Sequence, residues 1–360
     1  TLVCVNDVGP EFNPEKGHLK YEEVLSSAIP AQRIERSGED LLFLYTGGTT
    51  GMPKGVMWRH VDLFGALAFS GYHALGLPIP TTVQQVGQTA AQLASENKSP
   101  TNLCAAPLMH GVALFLAMSS FVLGGKVILL KSRKFDAKEL LDLSEKYSVT
   151  QLSIVGDAFC KPITRYLQTL AEQNQALPHL ESIIRITSSG ATFSGDQKSL
   201  LQKYMPNATI IDMLGASEGG PFGIAMTAPN EDPIATAVFI APPNATTFND
   251  ETWEPLPRGS TVPGVLGVSG PMPQGYYRDE AKTAQTFKEI NGVRYTIPGD
   301  YALIDEQGVM QLLGRGSVCI NSGGEKIYPE EVEVAARAHP SIEDCIAVGA
   351  PDTRSGEIVT

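Results

Sequence analysis

The densest run of chemistry-bearing residues is Tyr45-Thr46-Gly47-Gly48-Thr49-Thr50-Gly51-Met52-Pro53-Lys54-Gly55, directly after the apolar stretch Leu41 to Leu44. These eleven residues hold four glycines, three threonines and one lysine. Glycines let a backbone approach phosphate oxygens, hydroxyls and amides donate to them, and the lysine ammonium supplies charge. The run departs from the usual nucleotide P-loop, which needs Gly-Lys-[Ser/Thr] at fixed spacing with a helix behind it. It reads as a phosphate-binding loop of another architecture. Four more residues carry candidate chemistry: His110, Glu218, Asp300 and Arg315. Taken singly, each has an ordinary alternative: a core histidine, a helix-cap acid, a turn aspartate and a surface arginine.

The elements that must position these groups alternate between about 100 and 225. The periodicity predicts a helix over 137–147, a buried strand over 149–155, a helix over 161–173 and a strand over 182–187. Ser194 with Gln197 three residues on predicts a capping box opening a helix to Tyr204, and 208–214 reads as the next strand. Strand and helix in turn imply parallel βαβ units, with ligands at the carboxyl ends of the strands. From about 225 to 313 short β-like runs are broken by Pro and Gly, and 301–305 with 309–313 predict a hairpin about Glu306-Gln307-Gly308. Pro329 followed by Glu330 and Glu331 marks a helix start, stopped by His339-Pro340. The expected class is α/β.

The chain has 360 residues, 42% hydrophobic and 18% charged, which is a globular composition long enough for a large core. Its net charge of -12 argues against nucleic acid or an anionic membrane surface as the main partner. The longest near-apolar run, Val112 to Leu123, falls short of the ~20 residues that a membrane-crossing helix needs. Five cysteines (4, 104, 160, 319 and 345) are scattered without metal-ligand spacing, which predicts a reduced, cytoplasmic protein. Residue 1 is Thr and no signal peptide follows it, so both ends read as cut and the chain as an internal fragment.

Taken together and in order, the motifs resemble the adenylate-forming superfamily of acyl- and aryl-CoA synthetases, peptide-synthetase adenylation domains and luciferases. Tyr45 to Gly55 resembles its phosphate-binding loop. Pro107-Leu108-Met109-His110-Gly111 resembles its His-containing motif near the acyl pocket, and Ser189-Gly190-Ala191 its adenine-side loop. Asp212 to Glu218 resembles the motif ending in Thr-Glu, and Tyr295 to Asp300 the Thr-Gly-Asp element. Gly314-Arg315 and Ser322 to Glu333 resemble the hinge and the CoA-side loop.

The resemblance implies a large ATP- and acyl-binding domain over 1–314, then the beginning of a small α+β lid over 315–360, with the hinge near Ser317. It implies ATP contacts from Thr46, Gly47, Gly48, Thr49, Thr50, Gly51, Lys54, Gly190, Ala191, Asp212, Leu214, Gly215, Ser217, Asp300 and Arg315. Thr46, Lys54, His110 and Glu218 carry the catalytic roles, with Glu218 as the Mg²⁺ ligand, a hard oxygen for a hard cation. Asp300 takes the ribose hydroxyls, and Arg315 reaches ribose or α-phosphate. Gly323, Gly324, Glu325 and Lys326 face CoA. The implied reaction joins a carboxylate to the α-phosphorus of ATP with release of pyrophosphate, then passes the acyl group to CoA. The stretch Val112 to Met118 and Gly156-Asp157-Ala158-Phe159 resemble actinobacterial-type synthetases for fatty and steroid side-chain acids. The alternatives are a ligase that loads a carrier protein, or a non-catalytic nucleotide- or acyl-binding remnant.

Departures from the family pattern are specific. Gly47 stands where many relatives have Ser, Ser217 replaces Thr, and Leu214 stands where many place an aromatic ring on adenine. Asp212 stands where an amide often meets the adenine amino group, and a carboxylate can still accept that bond. The family's adenylation lysine belongs beyond the helix that starts at Pro329, and no lysine follows Lys326. On this reading the 360-residue chain alone fails at adenylation and retains weak thioester formation at best.

Overall fold

The computed structural model describes residues 3–4, 19–46, 53–72, 75–316, 319–322, 325–337, 339, 341–342, 345–352 and 356–360. It divides into two units, Thr1–Ser37 and Gly38–Thr360. In the first, strand Val3–Cys4 pairs in parallel with Leu19–Lys20, and helix Tyr21–Ser27 follows.

The second unit is mixed α/β, and its largest sheet has fourteen strands among the described residues. Five of them are parallel neighbours: Lys126–Leu129, Thr101–Cys104, Gln151–Ile154, Arg185–Ser189 and Thr209–Ala216. The βαβ reading is therefore borne out. Strand Gly219–Thr227 then folds back antiparallel on Thr209–Ala216. Beyond it the sheet continues antiparallel through Val238–Ile240, Val309–Arg315, Asp300–Ile304 and Gly264–Ser269. Asp300–Ile304 and Val309–Arg315 form the expected hairpin.

Local signals explain most element ends. Asp136 caps helix Ala137–Lys146 by accepting from the backbone N–H of Lys138 and Glu139. That helix buries Leu140 and Leu141 against Leu152, Ile154, Ile163, Leu167, Ile186 and Ile210, the core of the parallel half. Two expectations fail. Helix Gly156–Glu172 starts five residues before the expected 161, because Pro162 lies inside it and removes only one backbone donor. Ser194 is the N-cap of helix Gly195–Tyr204 but its side chain caps nothing; its Oγ donates to Asp157, and Gln197 Oε1 accepts from Thr164 instead.

A separate three-stranded sheet carries the threonine- and glycine-rich run. Leu41–Thr46 and Lys54–Arg59 are antiparallel, with Thr46 opposite Lys54, and Gly275–Tyr276 pairs with the outer side of Lys54–Arg59. Trp58, Leu63, Leu67, Tyr276 and Phe287 form the core beneath it. After Arg315, strands Ile320–Ser322, Glu325–Ile327, Gly349–Asp352 and Gly356–Val359 make a four-stranded sheet beside helix Pro329–Arg337. Among the described residues no helix is long and apolar enough to cross a membrane.

Candidate active site

Four parallel strands deliver their carboxyl ends to one place. Ala106, Pro107 and Met109 to Gly111 follow Thr101–Cys104, Val155 follows Gln151–Ile154, Gly190 follows Arg185–Ser189, and Ser217-Glu218 follows Thr209–Ala216. All of these line a cavity of about 920 Å³. The opposite wall comes from the small sheet, through Thr46, Lys54, Trp58 and Tyr276, and from Pro298, Gly299 and Arg315. Part of the lining is apolar, including Leu63, Leu67, Val112, Phe115 and Leu116. Trp58 and Phe115 meet there edge to face, with ring centroids 5.9 Å apart.

Glu218 sits at the turn between Thr209–Ala216 and Gly219–Thr227 and is braced from three elements. The Tyr276 hydroxyl donates to Glu218 Oε1 at 2.6 Å, and Thr296 Oγ1 donates to the Glu218 carbonyl at 3.1 Å. Trp58 Nε1 donates to the preceding carbonyl, that of Ser217, at 3.0 Å. Burial and the adjacent Glu218 carboxylate push the Tyr276 phenol well above its ordinary range, so it stays a donor. Gly219 has φ +149°, and a Cβ there would stand 3.2 Å from Thr296 Oγ1, so glycine keeps this brace close. Among the described residues the second carboxylate oxygen of Glu218 bears no hydrogen bond.

Lys54 is held more loosely. Its Nζ lies 3.2 Å from Asp279 Oδ2, with both side chains about one-third exposed (34% and 32%). Asp279 also caps helix Glu280–Thr286 by accepting from the Lys282 backbone N–H, and that bond, then Lys54, holds its carboxyl below the usual range. Arg315 and Asp300 face each other across the strand pair, Nε to Oδ1 at 3.4 Å. Burial raises the Asp300 carboxyl above its ordinary range, and Arg315 opposes that.

These loops, gathered at the carboxyl ends of one parallel run, match a family over residues 5–277, described as AMP-binding enzyme. The chain belongs to the AMP-binding enzyme family. It is 37% identical, over its whole length, to a Mycolicibacterium smegmatis medium/long-chain-fatty-acid--CoA/3-oxocholest-4-en-26-oate--CoA ligase. It is likewise 37% identical to a Rhodococcus rhodochrous 3-oxocholest-4-en-26-oate--CoA ligase. It spans 64% of the length of each of these relatives. The ATP-bound structure of MatB from Rhodopseudomonas palustris superposes with a TM-score of 0.70 at 25% identity, over 95% of this chain and 63% of that one. The anthranilate CoA ligase AuaEII, at 19% identity, TM-score 0.74 and coverage of 97% and 61%, shares the fold.

Within this AMP-binding fold, the expected site residues divide. Thr46, Lys54, His110, Gly190, Gly215, Ser217, Glu218 and Arg315 line the one cavity, and Asp300 adjoins it through Gly299 and Arg315. Gly47, Gly48, Thr49, Thr50, Gly51, Ser317, Gly323 and Gly324 lie outside the described residues. Glu325 and Lys326 fall in strand Glu325–Ile327, opposite Ser322 and Asn321. Three expected residues lie off this cavity. Asp212 does not reach the cavity: Lys198 Nζ donates to its Oδ2 at 3.0 Å, and the side chains are 2% and 9% exposed. Burial pushes this carboxyl above its usual range against the pull of Lys198. Leu214 packs on the cluster of Phe222, Ala225 and Phe239, and Met213 lines the cavity in its place. The reason is the period of two along a strand, which sends 212 and 214 to the face opposite 213 and 215. Ala191 lines a smaller cleft with Asp157, Lys161, Glu333 and Arg337.

Sequence reasoning missed the braces Trp58, Tyr276 and Thr296, the counter-ion Asp279 and the buried Lys198. Tyr276 and Asp279 carried a local signal, the string Gly275-Tyr276-Tyr277-Arg278-Asp279 of aromatic and charged residues after a strand, and Thr296 lay inside the Tyr295-to-Asp300 motif with no role assigned to it.

Proposed function

We propose that the protein activates an apolar carboxylic acid, a fatty or bulky alicyclic one, as its acyl adenylate and transfers the acyl group to CoA. The observation that carries this reading is one cavity whose lining combines a braced carboxylate, Glu218, cations that include Lys54 and Arg315, and the apolar side chains Leu63, Leu67, Val112, Phe115 and Leu116. In the first step a carboxylate oxygen of the acid attacks the α-phosphorus, and the bond to the bridging oxygen breaks as pyrophosphate leaves. Two anions must meet, so positioning and fixed positive charge supply most of the acceleration.

In this reading Lys54 and the loop that follows Thr46 hold the phosphates. Asp300 and Arg315 take ribose and α-phosphate, and Gly190 and Gly215 give adenine close backbone walls. His110, at the N-cap of helix Gly111–Val122, stands where the acid's carboxylate enters. Glu218 fits a Mg²⁺ site: one oxygen is fixed by Tyr276 and the other is left for a ligand. Among the described residues no cluster of three His, Cys, Asp or Glu could hold a metal alone. That suits an ion that binds through one carboxylate, water and substrate phosphates. When bound, Mg²⁺ would offset the phosphate charge. Residues from 315 onward, with Ser317 as hinge, form the beginning of a lid that carries Gly323, Gly324, Glu325 and Lys326 toward CoA. The reaction belongs in the cytoplasm, where ATP and CoA are available.

The test uses full-length protein carrying this sequence, with ATP, Mg²⁺, CoA and acids of rising chain length. Acyl-CoA, AMP and pyrophosphate in equal amounts are expected, with a preference for long or alicyclic acids. Formation of ADP, or AMP release independent of the acid, overturns the reading. Equal turnover with a carrier protein and none with CoA would replace CoA as acceptor.

A further inference from the structure

The cavity holds a second lysine that neither the motifs nor the roles above account for. Lys282 lies in the first turn of helix Glu280–Thr286, is half-buried, and lines the same cavity as Lys54, Tyr276 and Glu218. Among the described residues its ammonium has no ion-pair or hydrogen-bond partner, while its backbone N–H is bound to Asp279 Oδ1 at 3.0 Å. The other oxygen of Asp279 holds Lys54 at 3.2 Å. One carboxylate is thus shared between the helix that bears Lys282 and the strand that bears Lys54. Among the residues of the cavity wall, the cations Lys54, Lys282 and Arg315 outnumber the one carboxylate, Glu218, even with Asp279 standing beside Lys54. A polyanion suits that wall better than the apolar acid does.

We propose that Lys282 binds pyrophosphate, forming with Lys54 a two-cation subsite for the leaving end of the triphosphate, with Asp279 as the carboxylate that occupies Lys54 before nucleotide arrives. The inference rests on the adenylation reading above and adds the residue that meets the departing group. As the bond between α-phosphorus and bridging oxygen breaks, pyrophosphate takes the electron pair and its charge grows. A cation on that side stabilises the developing charge without touching adenosine. Asp279 opposes phosphate binding in two ways, by holding Lys54 and by repelling the anion. Both effects are modest, because the pair is solvent-screened.

Titration calorimetry on the intact chain, with inorganic pyrophosphate and with AMP as separate probes, tests this. Lys282→Met should weaken pyrophosphate binding about tenfold and leave AMP within about twofold, since one charge-assisted phosphate contact is lost. Lys282→Arg should recover most of the loss. Asp279→Asn keeps the helix cap through its amide oxygen but removes the charge, and should tighten pyrophosphate binding about two- to fivefold. Unchanged pyrophosphate affinity in Lys282→Met, with wild type and its Lys54→Ala variant behaving as the adenylation reading requires, overturns the inference alone. Weaker binding in Asp279→Asn overturns the role given to Asp279. If wild type binds neither pyrophosphate nor AMP, the adenylation reading falls and this inference with it.

Discussion

Asp212 and Glu218 are six residues apart on one strand and its turn, yet they inhabit opposite environments. Asp212 lies behind the sheet, closed against Lys198, with its carboxyl shifted upward by burial. Glu218 lies in front, past the end of the strand, where a neutral phenol fixes one oxygen and the cavity receives the other. The first acid is satisfied by its own chain and needs nothing further. The second is fixed in place yet incompletely satisfied, which is how a ligand site differs from a structural ion pair. A motif of seven residues is thus divided where the strand ends: Asp212 and Leu214 point to the core along the strand, and Glu218 escapes that face because it lies in the turn past Ala216.

The division is broken most severely from the core side. Lys198→Met leaves a buried carboxylate without its partner, and should cost about 3–5 kcal/mol of unfolding free energy by denaturant titration. Adding Asp212→Leu to that variant should return stability to within about 1 kcal/mol of wild type, since a well-packed apolar pair often replaces a buried ion pair at little loss. A double variant no better than the single one would show that Asp212 does more than pair with Lys198.

On the site side the effects move from stability to rate. Glu218→Gln should slow adenylation about ten- to a hundredfold, the equivalent of ~1.5–3 kcal/mol for a charge-assisted contact. Tyr276→Phe keeps the acid but frees its oxygen, and should cost about 1 kcal/mol, roughly fivefold. Its signature is a higher Mg²⁺ requirement with an unchanged KM for the acid; a uniform loss at every Mg²⁺ concentration would make Tyr276 a packing residue only.

How much of this was legible follows the same line. The parallel βαβ run could be read because Leu140, Leu141, Leu152 and Ile186 recur at helix and strand periods and pack in one core. The convergence of Thr46, Lys54, His110, Ser217 and Glu218 was legible because a family resemblance fixes motif order. What could not be read is which face each side chain takes. Leu214 and Met213 are both apolar, and only the register with Gly219–Thr227 decides that Met213 meets the cavity. The braces of Glu218 were hidden for a different reason: Trp58 and Thr296 contact this turn from 159 and 78 residues away. Long-range hydrogen bonds leave no local spacing to read.

The smallest effect concerns Asp279. Its carboxyl is held low by the Lys282 N–H and then by Lys54, so its stabilising contribution is present above the ordinary value of ~3.9 and is lost as pH falls through the lower folded value. Wild type should lose stability relative to Asp279→Asn over that acid range, by acid titration of the unfolding midpoint; parallel curves would separate Asp279 from both lysines.

In the proposed function Glu218, rather than any acid behind the sheet, serves the chemistry. Acid-dependent exchange of pyrophosphate into ATP by full-length protein tests it most directly, with wild type and Glu218→Gln compared at matched unfolding midpoints. Exchange is expected in wild type, with a loss of about ten- to a hundredfold in the variant. Equal exchange rates in two equally stable proteins would contradict it.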